Sequence, residues 1–270
     1  MIIGNRVFED SGKTYIMGIL NVTPDSFSDG GKYTDRDSIL RQAQRMVEEG
    51  ADIIDIGGES TRPGYTTLLS EEEEIARVVP AIELVRREFD VPISLDTYKA
   101  GVASVGLAAG ADLINDIWGL QYDPKMAGVI AKAGAACCLM HNQNTTEYVS
   151  LIEDVANCLA RCAALAVAAG IGEDKIMLDP GVGFGKTVEQ NRAVVKNLDY
   201  FVKLGYPVLL GTSRKSVIGK TLDLPITERV EGTIATSVMA VERGVSFLRV
   251  HDVQANRRAV LMAEAILREQ

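Results

Sequence analysis

Groups that ionise or donate hydrogen bonds recur along the chain at the ends of short apolar runs. They are Asn21, Asp55 with Glu59-Ser60-Thr61-Arg62, Asp96, Asn115, His141, Asp179, Ser213-Arg214-Lys215, and Arg249 with His251. Two chemistries can be separated in this set. Asp96, Asn115 and Asp179 are acceptors that, gathered in a dry site, need donors to offset their burial. A ligand with several N–H groups on one edge, such as a pterin or a purine, supplies them, and the carboxylates favour positive charge developing on that ligand. The same carboxylates could instead accept from loop amides or from Lys215. The second set, Lys215, Arg249 and His251, is cationic and suits a diphosphate, which the planar fork of arginine matches. Asn21 could add an amide oxygen to a phosphate-bound Mg²⁺, an ion that takes few protein ligands and keeps waters and substrate oxygens.

The runs that carry these groups are Tyr15–Leu20, Asp52–Ile56, Pro92–Leu95, Asp112–Ile114, Ala135–Met140, Lys175–Leu178, Pro207–Leu210 and Ser246–Val250. They are apolar almost throughout rather than alternating, as parallel strands covered on both faces are. Between them lie segments of helical spacing, such as Ile39, Ala43, Met46 and Val47, or Ile75, Val78, Val79 and Ile82. Ser70 precedes Glu71–Glu74 and can cap its helix with Glu73 as the partner of a capping box. The glutamate run then reads as a first turn favoured by the helix dipole, not as an acidic metal site. Gly50, Gly110, Gly134, Gly170, Gly205 and Gly244 fall two to five residues before a strand, where helices end.

Eight such strand–helix units without a linker or composition break predict a single α/β domain over residues 1–270, a TIM (β/α)₈ barrel. An open doubly wound sheet is the rival, but the turn after the first strand, Asn21-Val22-Thr23-Pro24-Asp25, lacks the glycine-rich signature of that fold. The opening segment Ile2–Lys13 is expected to form a β-hairpin, with its turn at Asp10-Ser11-Gly12-Lys13, and to plug the N-terminal face of the barrel. In barrels the chemistry sits at the C-terminal strand ends, and strands seven and eight often bind phosphate.

Composition narrows the function class. The 270 residues are 47% hydrophobic and 24% charged, with a net charge of −9, so a global basic field for nucleic acid is absent and any anion must be held locally. Met1–Asp10 does not read as a signal peptide, and no apolar run approaches the roughly 18 residues of a membrane span, which together suggest the cytoplasm. Cys137, Cys138, Cys158 and Cys162 lack CxxC spacing and only two histidines are present, so reduced thiols in a core are expected rather than a metal site. Gly181–Thr187 invites a phosphate-loop reading but has Pro180 where that motif needs glycine. Its small residues are expected to let a flat ligand or Phe184 pack close to the backbone, with Lys186 pointing to solvent or capping a neighbour. Two long polar segments, Asn21–Tyr33 and Gly57–Leu69, have the length of lids or binding loops.

Asn21–Gly31 resembles the first-loop signature of dihydropteroate synthases. So do Asp55–Gly64, Ser94-Leu95-Asp96-Thr97, Ile114-Asn115-Asp116, Asp179–Lys186, Ser213-Arg214-Lys215-Ser216 and Arg249–Val253, in order and across nearly the whole chain. The resemblance implies an enzyme that joins 4-aminobenzoate to (7,8-dihydropterin-6-yl)methyl diphosphate and releases pyrophosphate, on the route to folate, and that tends to form homodimers. It implies that Asp96, Asn115, Asp179 and Lys215 hold the pterin. Arg249, His251 and, through Mg²⁺, Asn21 would hold the leaving diphosphate, with Thr61 nearby. Phe27, Arg62, Pro63, Phe184 and Ser213 would shape the aminobenzoate pocket, where sulfonamides are expected to compete, and Asp29 belongs to the mobile first loop. The catalytic set is then Asp96, Asp179, Lys215, Arg249 and His251.

One segment departs from the family. After Met140-His141 the family often shows an Arg-Gly-x-Pro-like stretch, and this chain has Asn142-Gln143-Asn144-Thr145, so His141 receives no catalytic role. A pterin-binding methyltransferase domain would share the barrel and the carboxylates, yet it has no use for the anion set at Ser213–Lys215 and Arg249/His251. A non-enzymatic relative is the other alternative, and a pyrophosphate-release assay separates it.

Overall fold

The computed structural model describes residues 1–9, 12–22, 32–59 and 69–269, with the backbone alone for residues 32–35. A short antiparallel hairpin, β1 (Ile2–Ile3) and β2 (Arg6–Val7), comes first. Eight parallel strands follow: β3 (Tyr15–Asn21), β4 (Ile53–Gly57), β5 (Ile93–Asp96), β6 (Leu113–Asp116), β7 (Ala136–Met140), β8 (Ile176–Asp179), β9 (Leu209–Leu210) and β10 (Phe247–Val250). Each overlaps one of the eight predicted runs, and five of them, β3 to β6 and β8, continue one or two residues past its end. They pair in the order β8-β7-β6-β5-β4-β3-β10-β9. A parallel bridge between Leu178 and Val208 closes the ring. This seam is the thinnest, one bridge where β3 and β4 share five paired positions.

Helices α1 (Lys32–Glu48), α2 (Glu71–Glu88), α3 (Ala100–Ala108), α4 (Met126–Ala133) and α5 (Leu151–Ala168) follow β3 to β7 in turn. Two helices follow β8, α6 (Val188–Lys196) and α7 (Leu198–Val202), and two follow β9, α8 (Ser216–Leu222) and α9 (Val230–Glu242). Helix α10 (Val253–Arg268) completes the last unit. The fold is the expected TIM (β/α)₈ barrel with an N-terminal hairpin.

Local signals account for the element ends. The Ser70 hydroxyl accepts from the Glu73 amide at 3.2 Å, and the Glu73 carboxylate accepts from the Ser70 amide at 2.9 Å. This is the expected capping box, which satisfies two amides that a helix start otherwise leaves open. Gly134, at φ +63°, ends α4 in the left-handed conformation that costs glycine little. The glutamate run differs from expectation at one position, because Glu74 is buried and paired with Lys99.

The strand pleat explains how the barrel separates its chemistry. Alternate residues of a strand face opposite sides. Ile16, Leu20, Ile54, Ile56, Leu95, Ile114, Leu139, Leu178 and Leu248 join the layer packed under the helices. Tyr15, Met17, Ile53, Leu113, Cys138, Met177, Leu209 and Phe247 form a second cluster inside the barrel. Two residues further along the inner face, Ile53 is followed by Asp55, Leu113 by Asn115, Met177 by Asp179 and Phe247 by Arg249. The lower interior is therefore apolar and the upper interior polar.

Ile3 and Phe8 seal the lower cluster. Phe8 packs edge-on to Tyr15 with ring centroids 4.9 Å apart and lies 5.5 Å from Phe247. The hairpin thus covers the N-terminal end, as expected, but it turns at Gly4-Asn5 rather than at Asp10–Lys13. Ile2 pairs with Val7 and Ile3 with Arg6, which leaves a two-residue connection, and Gly4 supplies the positive φ such a connection needs. Asp10 and Ser11 lie outside the described residues.

Candidate active site

Three of the inward polar residues meet directly. Arg249 on β10 donates from Nε to Asp55 Oδ2 on β4 and from Nη2 to Asp96 Oδ2 on β5, both at 2.6 Å. Asp55 is fully buried and also accepts from the Ser94 hydroxyl. The predicted division by charge therefore gives way to a mixed cluster. Arg249 leans on the acidic wall, since a guanidinium in a dry interior needs counter-charge, while His251 sits beside Ser213. Asp96 keeps one oxygen, Oδ1, buried with no hydrogen-bond partner among the described residues. Its burial raises the carboxyl to about 7 in spite of the Arg249 charge beside it.

Asp179, Lys215 and Arg249 converge around Gly211. A Cβ built on Gly211 would lie 3.7 Å from Lys215 Nζ and 3.9 Å from both Asp179 Oδ2 and Arg249 Cβ. Asp179 Oδ1 accepts from the Gly181 amide at 2.7 Å, so this carboxylate is partly satisfied by its own loop, and burial still raises its pKa. Lys215 Nζ donates to the Val182 carbonyl at 2.6 Å and lies 4.8 Å from the centre of the Phe184 ring. Burial lowers the Lys215 ammonium to about 8, against the pull of Asp179. Asn115 is buried on β6 next to Asp96 on β5, its paired residue in the sheet. Asn21, at the end of β3, faces the same Gly57 as Asp96, with its Oδ1 3.9 Å from where a Gly57 Cβ would stand.

The cationic side is ordered from below. The Ser213 hydroxyl lies 3.0 Å from His251 Nδ1 and accepts from the His251 amide at 3.0 Å. Arg214, at φ +56°, pairs with Asp252 and ties the loop after β9 to the loop after β10. Phe184 packs against Tyr98, Ile117 and Met140 at the mouth. Of the expected site residues, Asn21, Asp96, Asn115, Asp179, Phe184, Ser213, Lys215, Arg249 and His251 all stand at C-terminal strand ends or in the loops that follow. Phe27, Asp29, Thr61, Arg62 and Pro63 lie outside the described residues.

Some participants escape the sequence reading. Asp55 had a visible signal, a lone carboxylate within an apolar strand, but no assigned role. Of the two directions expected for Lys186 it takes the capping one: its Nζ lies 2.9 Å from His141 Nδ1 and donates to the Gly181 and Phe184 carbonyls at 2.9 and 3.1 Å. Burial brings the Lys186 ammonium down to about 7. Burial and the neighbouring Lys186 charge bring His141 down to about 3, so its ring is neutral. Lys99 had no signal at all, yet its Nζ donates to Glu59 and Glu74 at 2.7 Å and to the Leu69 carbonyl at 2.8 Å. The four cysteines are free and buried, as expected.

Comparison with known proteins agrees with this geometry. The family described as pterin binding enzyme matches residues 17–251. A dihydropteroate synthase of Clostridium beijerinckii is 55% identical over 269 residues, covering 99% of this chain and 100% of the relative. The crystal structure of the dihydropteroate synthase of Clostridium difficile in the presence of pteroic acid superposes with a TM-score of 0.92. It is 51% identical and covers 95% of this chain and 98% of that one. The Xanthomonas albilineans dihydropteroate synthase with 4-aminobenzoic acid gives a TM-score of 0.91 at 39% identity, covering 96% and 94% of the two chains. With these matches spanning its length and the polar cluster at its strand ends, the chain belongs to the dihydropteroate synthases, transferases of folate biosynthesis.

Proposed function

We propose that the cluster at the barrel mouth binds (7,8-dihydropterin-6-yl)methyl diphosphate and condenses it with 4-aminobenzoate, giving 7,8-dihydropteroate and pyrophosphate. The observation that carries this reading is Asp96 Oδ1, a buried carboxylate oxygen without a donor among the described residues. An orphaned acceptor of this kind is costly unless a ligand supplies the missing N–H. Asp96, Asp179 and Asn115 together offer acceptors to the nitrogen-rich edge of a pterin, with Lys215 beside them.

The C–O bond to the diphosphate breaks with its electron pair leaving on oxygen, while the aniline nitrogen forms the new C–N bond and releases a proton to water. Asp96 and Asp179 stabilise the positive charge that spreads into the pterin as the leaving group departs. Arg249, steadied by Asp55, and His251, oriented by Ser213, receive the diphosphate. The aniline nitrogen attacks when neutral, so the site needs no strong base. Phe184 and Ser213 line the aminobenzoate side with Phe27, Arg62 and Pro63, Thr61 approaches the diphosphate, Asp29 acts in closure of the first loop, and sulfonamides compete for the aminobenzoate pocket.

Mg²⁺ fits this donor set only as a companion of the diphosphate. Among the described residues no cluster of three His, Cys, Asp or Glu side chains could hold an ion, and Asn21 offers one neutral amide oxygen. Asn21 would hold the ion together with waters and phosphate oxygens, and the ion would neutralise charge on the leaving group.

A homodimer is supported by the large apolar side chains exposed toward the end of α10, where Leu261, Met262, Ile266 and Leu267 are 50 to 62% exposed. A cytoplasmic location is in keeping with the four free thiols. Among the described residues no helix is long and apolar enough to cross a membrane. Pyrophosphate release that requires both substrates tests the reaction. Release without the amine, or none with both, overturns it.

A further inference from the structure

We propose that Lys186 and His141 are positioning residues for the aminobenzoate side of the site, acting through the loop that carries Phe184. The inference rests on the reading of Phe184 as a wall of that pocket. Lys186 has three ammonium protons and three acceptors: the Gly181 carbonyl, the Phe184 carbonyl and His141 Nδ1. The first two belong to the loop itself and the third to the end of β7, so a single side chain braces the turn that the Phe184 amide closes on the Gly181 carbonyl and fastens it to the barrel. A neutral imidazole can complete this arrangement because Nδ1 accepts while the ammonium donates. An apolar residue of the same length would fill the space but take the donor from the Phe184 carbonyl and from His141 Nδ1, and leave the Gly181 carbonyl with the Phe184 amide alone.

The rest of the loop depends on the same closure. Gly181, at φ +71°, lies so close to β7 that a Cβ there would come within 1.9 Å of the His141 carbonyl. Gly185, at φ +56°, meets the Gln143 carbonyl in the same way, 2.5 Å from a built Cβ. From outside, Tyr148 Oη donates to the Gly185 carbonyl at 2.7 Å and Gln190 Nε2 to the Thr146 carbonyl at 2.8 Å. The segment Asn142–Tyr148, which opens with the Asn142–Thr145 stretch that departs from the family, is thus the buttress of the loop. Two products of the fold face the site: the Val182 carbonyl that receives Lys215, and the Phe184 ring packed beside the same ammonium.

The test is steady-state kinetics of the full-length Lys186→Met variant with both substrates varied. The KM for 4-aminobenzoate is expected to rise about tenfold or more, and that for the pterin diphosphate to change less than about threefold. A merely structural role would reduce the active fraction, lowering Vmax and leaving both KM values alone. That result, or a parallel rise of both, overturns the proposal. Should Lys186→Met fail to fold, His141→Asn and His141→Leu make the same comparison, because the asparagine oxygen can replace Nδ1 as acceptor. The asparagine variant is expected to keep the parental KM and the leucine variant to show the rise, and equal behaviour overturns the proposal. Absence of pyrophosphate release by the parent enzyme would instead refute the functional reading, and with it the pocket that Phe184 is said to line.

Discussion

Replacing Asp96 with asparagine should make the ligand-free protein more stable at alkaline pH while removing its activity. Burial lifts the Asp96 carboxyl from its usual 3.8 to about 7. Each pH unit corresponds to about 1.36 kcal/mol, so an ionised Asp96 weakens the fold by at most about 4 kcal/mol at pH 8. The sign follows from the raised pKa. Below about pH 4 the carboxyl is protonated in both folded and unfolded chains and the cost is absent; it grows through pH 4 to 7 and is complete above. Asparagine is neutral throughout and keeps an oxygen for Arg249, although its amide crowds the guanidinium donors and offsets part of the gain. A net gain on the order of 2 kcal/mol at pH 8 corresponds to a Tm higher by roughly 4–8 °C, shrinking toward zero at pH 5. The ligand loses a charge-assisted hydrogen bond of about 1.5–3 kcal/mol, or roughly 10- to 150-fold in affinity. Thermal unfolding at pH 5 and pH 8, with calorimetric titration of the pterin diphosphate, measures both effects. A lower Tm at pH 8, or affinity within about threefold of the parent, would refute the reasoning.

Lys99→Met strips two buried carboxylates, Glu59 and Glu74, of their shared cation and should cost about 3–5 kcal/mol in denaturant unfolding; a loss below about 1 kcal/mol contradicts it. Gly181→Ala forces a methyl against the His141 carbonyl at a positive φ, so turnover should collapse, and retention of more than about a tenth of kcat/KM would count against the close approach. Chelating divalent metal should weaken pyrophosphate binding in calorimetry, and an unchanged Kd in the absence of metal would remove Asn21 from the diphosphate site.

The barrel was legible because eight apolar runs and the helices between them repeat one simple pattern, in which burial on both strand faces leaves little ambiguity. The site was legible at its strand ends for the same reason: Asp96, Asn115 and Asp179 directly follow apolar runs and Arg249 interrupts one, each at the last inward position. What stayed hidden is who faces whom. Arg249 and Asp55 are separated by 194 residues, and no local pattern tells an arginine that awaits a phosphate from one that leans on a carboxylate. Lys186 read as pointing to solvent or capping a neighbour; that it caps three acceptors at once stayed hidden, because acceptors brought together by folding leave no trace in spacing. Glu74 looked like one more glutamate in a first turn; only the approach of α3 supplies Lys99 to bury it. The hairpin was found but its turn misplaced, since Asp10-Ser11-Gly12 is the stronger turn composition and Gly4-Asn5 the one that the pairing of Ile2 with Val7 requires.

The thin seam beside β9 bears on how the molecule breathes. Strand β9 has two residues in its ladder with β10 and one bridge to β8, so its amides depend on few ladder bonds for protection from solvent exchange. Regions tied by few backbone bonds open locally at lower free energy than the whole fold. Asp179 stands on one side of this seam, with Gly211 and Lys215 on the other. An excursion there would part the carboxylate from the ammonium while the remaining strands stay hydrogen-bonded, placing the most thinly paired seam of the barrel beneath its ligand-facing groups.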